Sequence, residues 1–459
     1  MPQKTRRCAF YTLGCKVNQY DTESLARLFR ERGYDIVDFE SPADVYCINT
    51  CTVTSTSEKK SRQAIRRAKR RNPSAIVAVV GCYAQVAPDE VASIPGVDVV
   101  AGIRERGKLV DLVEKAMQGQ GPVVEVRGGR PGGPFEELPL AGPHARTRGF
   151  IKVQEGCDEF CSYCRVPYAR GASRSRDPES VLAEVQRFVE AGHKEIVLTG
   201  IHLGAYGRDL GELGNGVRPD LAWLVERVHE VPGLGRVRLS SVEPLDVDER
   251  LIRAVAALPR VAKHFHIPLQ SGDDDILAMM NRRYRTSDYE RLIDRIREEI
   301  WPVGITTDIM VGFPGETEER FARSCEFARR IAFSRMHVFA YSPRPGTRAA
   351  RMKAQVDPAT RHARSETMIA LGRELGLKFH QSLVGCREEA LVEDYEVGRG
   401  VVRGIGSTYV RIEFPGEADL AGELVPVSVV AADPDGVTAR RVFQPEVAEE
   451  GSERRGEKL

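Results

Sequence analysis

Gly156-Cys157-Asp158-Glu159-Phe160-Cys161-Ser162-Tyr163-Cys164-Arg165-Val166-Pro167 is the stretch from which the rest of the chain is read. Its three cysteines form a CxxxCxxC run on one short loop. Three thiolates so placed can hold three corners of a four-iron cube. A structural zinc ion normally takes a fourth Cys or His close by, and none follows within about 25 residues. One iron is thereby left open to a small molecule. The competing structure is a zinc knuckle completed by a distant residue.

Around this run, residues 149–378 repeat strand-then-helix about six times. Strands are predicted at Phe150–Gln154, Glu195–Gly200, Arg236–Ser241, His264–Leu269, Ile305–Val311 and Met336–Tyr341. Helices are predicted between them, for example Pro178–Ala191 and Glu316–Ile331. Six such units predict an incomplete (βα)6 TIM-like barrel, with function at the carboxyl ends of the strands. The cysteine run follows the first of those strands.

Residues 1–117 alternate strand and helix signals in the manner of a Rossmann-like parallel α/β domain. Strands are predicted at Cys8–Leu13, Asp44–Asn49, Ala75–Val80 and Val97–Ala101, and helices at Asp21–Arg32, Ser57–Arg71 and Arg106–Met117. Cys15, Cys51 and Cys82 each fall just past the carboxyl end of a predicted strand. Loops at that edge of an open parallel sheet converge on one crevice. Residues 118–148 are rich in Gly and Pro and read as a linker. Residues 379–445 carry five short β-rich runs, at Ala390–Val397, Gly400–Arg403, Thr408–Phe414, Glu423–Ala431 and Val437–Phe443. They predict a small five-stranded barrel of a kind that often binds oligonucleotides. Residues 446–459 are charged and read as a disordered tail.

Composition narrows the class further. The formal net charge is +1, so a nucleic-acid surface would have to be a local patch. No apolar run approaches the ~18 residues that a membrane span needs, and Met1–Arg7 lacks the apolar stretch of a signal peptide. A cytoplasmic protein is expected. Ten cysteines there argue for metal or catalysis rather than disulfides.

Many ordered motifs then carry a resemblance. They include Thr12-Leu13-Gly14-Cys15-Lys16-Val17-Asn18, Asn49-Thr50-Cys51-Thr52-Val53, Gly81-Cys82-Tyr83-Ala84-Gln85 and Pro167-Tyr168-Ala169-Arg170-Gly171. Residues 198–207, 238–244, 266–272, 280–284 and 308–316 continue the series. The chain resembles the methylthiotransferase family of radical S-adenosylmethionine (SAM) enzymes over nearly its whole length, including a TRAM-like tail. In that family the open iron chelates SAM, and reductive cleavage gives a 5′-deoxyadenosyl radical. The resemblance implies two [4Fe-4S] clusters, one on Cys157, Cys161 and Cys164 and one on Cys15, Cys51 and Cys82. Cys8, Cys47, Cys325 and Cys386 read as ordinary thiols.

The Lys16-Val17-Asn18 signature is similar to the branch acting on N6-threonylcarbamoyladenosine at position 37 of tRNA. Members acting on isopentenyladenosine look like GlyCysGlnMetAsn there, and members acting on a ribosomal-protein aspartate look like GlyCysxLysAsn. A zinc-stabilised RNA-binding protein without enzymatic activity is the remaining alternative. SAM contacts are expected at the barrel ends, from Tyr163, Thr199, Gly200, Ser241, Glu243, Gln270 and Gly312 to Gly315. Lys59, Lys60, Arg62, Arg66 and Arg67 of the basic helix are expected to meet phosphates. Arg399, Arg403, Tyr409 and Arg411 of the tail barrel would add charge and stacking. The expected partners are the anticodon stem-loop of tRNA, whose unstacked bases suit such recognition, and an external electron donor such as flavodoxin or ferredoxin. The sequence supplies no general base.

Overall fold

The computed structural model describes residues 5–52, 55–138, 147–214 and 216–442. The proposed tail at 446–459 and part of the Gly/Pro-rich segment lie outside them. The first unit is a six-stranded parallel sheet ordered β2-β1-β3-β4-β5-β6. Its strands are β1 (Arg7–Thr12), β2 (Asp35–Val37), β3 (Val45–Thr50), β4 (Ile76–Gly81), β5 (Val99–Ala101) and β6 (Val123–Glu125). All of β3 and nearly all of β4 is buried, as expected of parallel strands covered by helices on both faces. Separate apolar clusters around Ile48 and Val79, and around Phe29 and Val113, fill the two faces.

Two expectations change here. The first helix, α1 (Lys16–Glu31), begins five residues before Asp21, with Cys15 in extended backbone as its N-cap. Cys15 makes no side-chain cap hydrogen bond, so none of the usual Ser, Thr, Asp or Asn start signals marks the true beginning. The segment expected to be only a linker contributes β6, which pairs in parallel with β5. A three-residue edge strand beside a Gly/Pro-rich stretch has too little pattern to be recognised. The basic helix, α2 (Ser55–Arg71), lies close to its expected bounds.

The second unit has six parallel strands in two linked groups. These are β7 (Arg148–Lys152), β10 (Glu195–Thr199) and β11 (Arg236–Leu239), then β12 (His264–His266), β13 (Gly304–Val311) and β14 (Arg335–Ala340). Isolated parallel bridges Val237–Val261 and Ser241–His266 join the groups into a partial barrel. A short antiparallel ladder of β8 (Gln154–Glu155) and β9 (Arg174–Ser175) brackets the cysteine loop. The strand expected to run to Leu269 stops at His266. Pro268 has no N–H for a ladder, and Gln270 takes a left-handed φ of +66°.

The third unit is a closed five-stranded barrel of β15 (Arg387–Glu396), β16 (Val401–Ile405), β17 (Arg411–Pro415), β18 (Leu424–Asp433) and β19 (Gly436–Arg441). The helix Pro358–Ser382 packs on both β14 and β18, so it runs across the expected boundary at 378. Arg236 and Arg238 tie this barrel to the amino ends of the central strands. Arg236 donates to the carbonyls of Glu389 at 2.7 Å and Ile405 at 2.9 Å. Arg238 donates to those of Gly406 at 2.9 Å and Ser407 at 3.0 Å. Both guanidiniums share Glu195, at 2.5 and 2.9 Å. Burial would raise the Glu195 carboxyl, but the two arginines outweigh it and hold it down at about 2.

The first unit docks on the second through buried charges. Asp21 of α1 accepts from Lys152 at 2.6 Å, Arg106 at 2.6 Å and Arg170 at 2.7 Å. Glu155 pairs with Arg170 at 2.5 Å and Arg106 at 3.1 Å. Both carboxylates are at most 1% exposed. Removing one partner from such a network leaves an uncompensated buried charge, at a cost of about 3–5 kcal/mol. Asp21→Ala should therefore lower stability by about that amount in urea unfolding, with hydrogen exchange rising first in α1. A change below about 0.5 kcal/mol, typical of surface positions, would mean that the network does not hold the units together.

Candidate active site

The cysteine loop leaves the carboxyl end of β7, and each of its sulfurs has an N–H donor. The Glu159 amide approaches Cys157 Sγ at 3.5 Å, and the Val166 amide approaches Cys164 Sγ at 3.4 Å. Arg282 Nη1 approaches Cys161 Sγ at 3.4 Å. His202 adds a second contact, its Nδ1 lying 3.8 Å from Cys157 Sγ and its Nε2 lying 2.6 Å from Asp246. Burial alone would lower the His202 imidazole, but Asp246 and Cys157 outweigh it and push it up to about 10.

Burial pushes the Cys161 and Cys164 thiols up, well above their usual range for Cys164. A thiol held this way loses its proton readily only to a metal, which takes the proton's place. All ten cysteines are free thiols. Three thiols on one loop, each supplied with an N–H donor, fit an iron–sulfur cluster whose sulfurs accept hydrogen bonds.

A second thiol group gathers at the sheet edge of the first unit. Gly14 and Gly81 precede Cys15 and Cys82 with φ of +105° and +94°. A Cβ on Gly14 would sit 3.1 Å from Cys51 Sγ, and one on Gly81 would sit 2.4 Å from Asn49 Oδ1. The glycines thus let three strand ends crowd together. Burial pushes the Cys82 thiol up, and the neighbouring Cys15 sulfur adds to the shift. Arg170 Nε donates to Cys82 Sγ at 3.3 Å. Arg170 closes the helix Val166–Arg170, which begins two residues after Cys164 and packs on the helix Cys82–Val86. The two thiol groups therefore face one interface.

Among the expected SAM residues, Gln270 is buried with Oε1 lacking any hydrogen-bond partner among the described residues. That orphaned acceptor, just beyond β12, fits a polar ligand. Thr199 is buried at the end of β10. Gly200 lies where a Cβ would come within 2.9 Å of Gln154 Oε1. Glu243 is paired with Arg282 at 2.6 Å, which sets it beside Cys161. Ser241 bridges His266, and Tyr163 packs edge-on against Phe313 at 6.4 Å. Gly312 and Gly315 have φ of +69° and +90°. Their surroundings are Arg361 and Met279, so packing within the chain already accounts for both glycines.

The basic residues divide. Lys59, Lys60, Arg66 and Arg70 are exposed and have no ion-pair partner among the described residues. Arg62 instead reaches Tyr83 at 3.2 Å and Glu90 at 3.7 Å. Arg67 pairs with Glu40 at 3.2 Å and covers the rings of Tyr11 and Phe39. Arg399 and Arg403 are held by Glu396 and Glu413. Tyr409 stacks on His264 at 4.5 Å with Arg238 over its ring, turned toward the central barrel. Arg411 is exposed. Cys8 and Cys47 are buried core thiols 3.9 Å apart. Arg106, Lys152, Glu155, Arg282 and His202 escaped sequence reasoning, because charged residues inside motifs carry no period.

These features define a radical SAM enzyme, whose cofactors are SAM and [4Fe-4S] clusters. The profile of the radical SAM superfamily matches residues 151–328, and that described as "Uncharacterized protein family UPF0004" matches residues 7–102. The threonylcarbamoyladenosine tRNA methylthiotransferase MtaB of Bacillus subtilis is 41% identical over 92% of this chain and 94% of its own. The protein of that name in Thermotoga maritima is 38% identical over 94% and 96%. A solved radical SAM methyltransferase, TsrM from Kitasatospora setae, shares the fold at a TM-score of 0.55 and 16% identity, over 83% of this chain and 77% of its own. The chain belongs to the radical SAM methylthiotransferase family. Among the described residues no helix is long and apolar enough to cross a membrane.

Anaerobic reconstitution should load about eight irons per chain. Cys15→Ala combined with Cys51→Ala and Cys82→Ala should leave about four. A wild-type load near four by iron assay would remove the second cluster.

Proposed function

We propose that the enzyme converts N6-threonylcarbamoyladenosine at position 37 of tRNA to its 2-methylthio derivative. Cys157, Cys161 and Cys164 hold the cluster that binds SAM, and Cys15, Cys51 and Cys82 hold the second. The observation that carries this is the packing of the Cys82 helix on the helix that follows Cys164. Such packing suits two thiol groups that serve one substrate. C2 of adenine is an unactivated carbon, so the cofactors carry the hard step. When bound, they supply the methyl group and the radical chemistry by which S–CH3 replaces C2–H.

The chain's own residues hold and orient. Arg282, His202 and Arg170 place positive N–H groups on cysteine sulfurs, which favours the deprotonated, metal-bound state. Thr199 at the end of β10 and Gln270 beyond β12 offer polar atoms to SAM. The branch is favoured by identity: relatives named for threonylcarbamoyladenosine stand at 38–41%. Those named for dimethylallyladenosine stand at 33–37%. The anticodon stem-loop meets the exposed side of α2, electrons come from an external flavodoxin or ferredoxin, and the enzyme works in the cytoplasm.

Nucleoside mass spectrometry of tRNA from a deletion strain should lack the 2-methylthio form and accumulate its threonylcarbamoyl precursor. An unchanged nucleoside profile overturns the assignment. Cys157→Ala should abolish 5′-deoxyadenosine formation, and normal formation would remove the SAM cluster from this loop. Lys59→Ala, Lys60→Ala and Arg66→Ala together should weaken tRNA binding. They should also flatten its salt dependence, by about 0.7–0.9 in log–log slope for each phosphate no longer neutralised. An unaltered slope would clear α2 of any role.

A further inference from the structure

Lys16 opens α1, directly after Cys15. Its side chain enters the partial barrel, with Nζ 5.8 Å from the centre of the Phe150 ring. The charged and titratable groups that face it are Arg148 on β7, Glu195 on β10, Arg238 on β11, His264 on β12 and Tyr409 of the C-terminal barrel. His266 and His337 lie beside His264.

Nearly every charge around Lys16 is matched. Arg148 pairs with Glu393 at 2.9 Å. Arg238 shares Glu195 with Arg236. His266 and His337 each lie 3.3 Å from Asp308. Lys16 has no ion pair and no hydrogen bond among the described residues. A half-buried ammonium among arginines, with a single shared carboxylate nearby, lacks a counter-ion. Such a group is costly unless an anion completes it.

We infer that Lys16 is a specificity-determining residue that binds the carboxylate of the N6-threonylcarbamoyl group, an inference that rests on the proposed substrate. The threonyl substituent ends in a carboxylate, whereas a dimethylallyl substituent carries no charge. Cys15 and Lys16 are consecutive, so their Cα atoms are about 3.8 Å apart. A single adenine can therefore turn C2 toward the cysteine side and its N6 substituent toward the lysine side. The Phe150 ring lies within cation–π range of the ammonium. A pocket built around such a charge disfavours analogues that leave it unpaired. The same ammonium would also suit a backbone phosphate, and the test separates the two anions.

The test uses reconstituted holoenzyme and three synthetic anticodon stem-loops. They carry adenosine, threonylcarbamoyladenosine or its methyl ester at position 37. Wild type should bind the free acid about 30-fold or more tightly than the ester, the scale for losing one partner of a buried charge pair. In Lys16→Gln that preference should vanish while affinity for the adenosine stem-loop stays unchanged. Lys16→Arg should restore part of it. Lys16→Met serves instead if the Gln variant fails to load iron.

Equal weakening of all three stem-loops would make Lys16 a phosphate contact and overturn the inference. Retention of the acid preference in Lys16→Gln would overturn it too. A wild type that neither prefers nor converts the threonylcarbamoyl stem-loop would bring down the proposed substrate itself, which is a distinguishable result.

Discussion

Two buried carboxylates, Asp21 and Glu155, hold the molecule in its working arrangement. Asp21 of the first unit takes Lys152 and Arg170 from the second, and Glu155 of the second takes Arg106 from the first. Attraction in a dry interior is strong, yet desolvation of each ion is comparably costly. The network therefore adds little net stability, and its worth lies in geometry. Ion pairs between fixed guanidiniums and carboxylates tolerate little sliding. An apolar interface of equal area would allow several registers, each with a different separation between the two thiol groups.

Arg170 couples that constraint to the chemistry. One guanidinium reaches Asp21 and Glu155 and also donates to Cys82 Sγ. Its Nη2 is bonded to Asn18 as well. The residue that fixes the domains thus also sets the hydrogen bonding of a cysteine at the second thiol group. Arg282 plays the corresponding part at the first group, bridging Cys161 and Glu243. Hydrogen bonds and charge at cluster sulfurs tune reduction potential. Each thiol group has its own arginine, and only one of these arginines is shared with the domain interface. The two sites can therefore be tuned apart while being held at one distance.

The strand-and-helix alternation and the closed five-stranded barrel were legible because buried strands and turn residues repeat. The placement of Cys15, Cys51 and Cys82 past the ends of β1, β3 and β4 was legible because each follows an apolar run. What escaped the sequence had no period or no local cap. The start of α1 at Lys16 lacks a polar cap at Cys15, and β6 is a three-residue edge strand. Arg62 and Arg67 read as phosphate contacts of a basic helix, but helical geometry turns them onto Tyr83 and Tyr11. A count of lysines and arginines does not distinguish a face from an interface. Tyr409 likewise read as a stacking platform for RNA, yet it stacks on His264.

That last contact matters for the barrel as a whole. A partial barrel of six strands leaves its amino end and one side open, and both are closed by other units. The loop 406–409 of the C-terminal barrel caps the amino end, held by Arg238. Helix α1 covers β7 at the open side. Three units consequently meet around the Lys16 ammonium: Lys16 from the first, Phe150 and Glu195 from the second, Tyr409 from the third. A substrate group bound at Lys16 would read the relative placement of all three units, so specificity and domain docking depend on the same buried contacts.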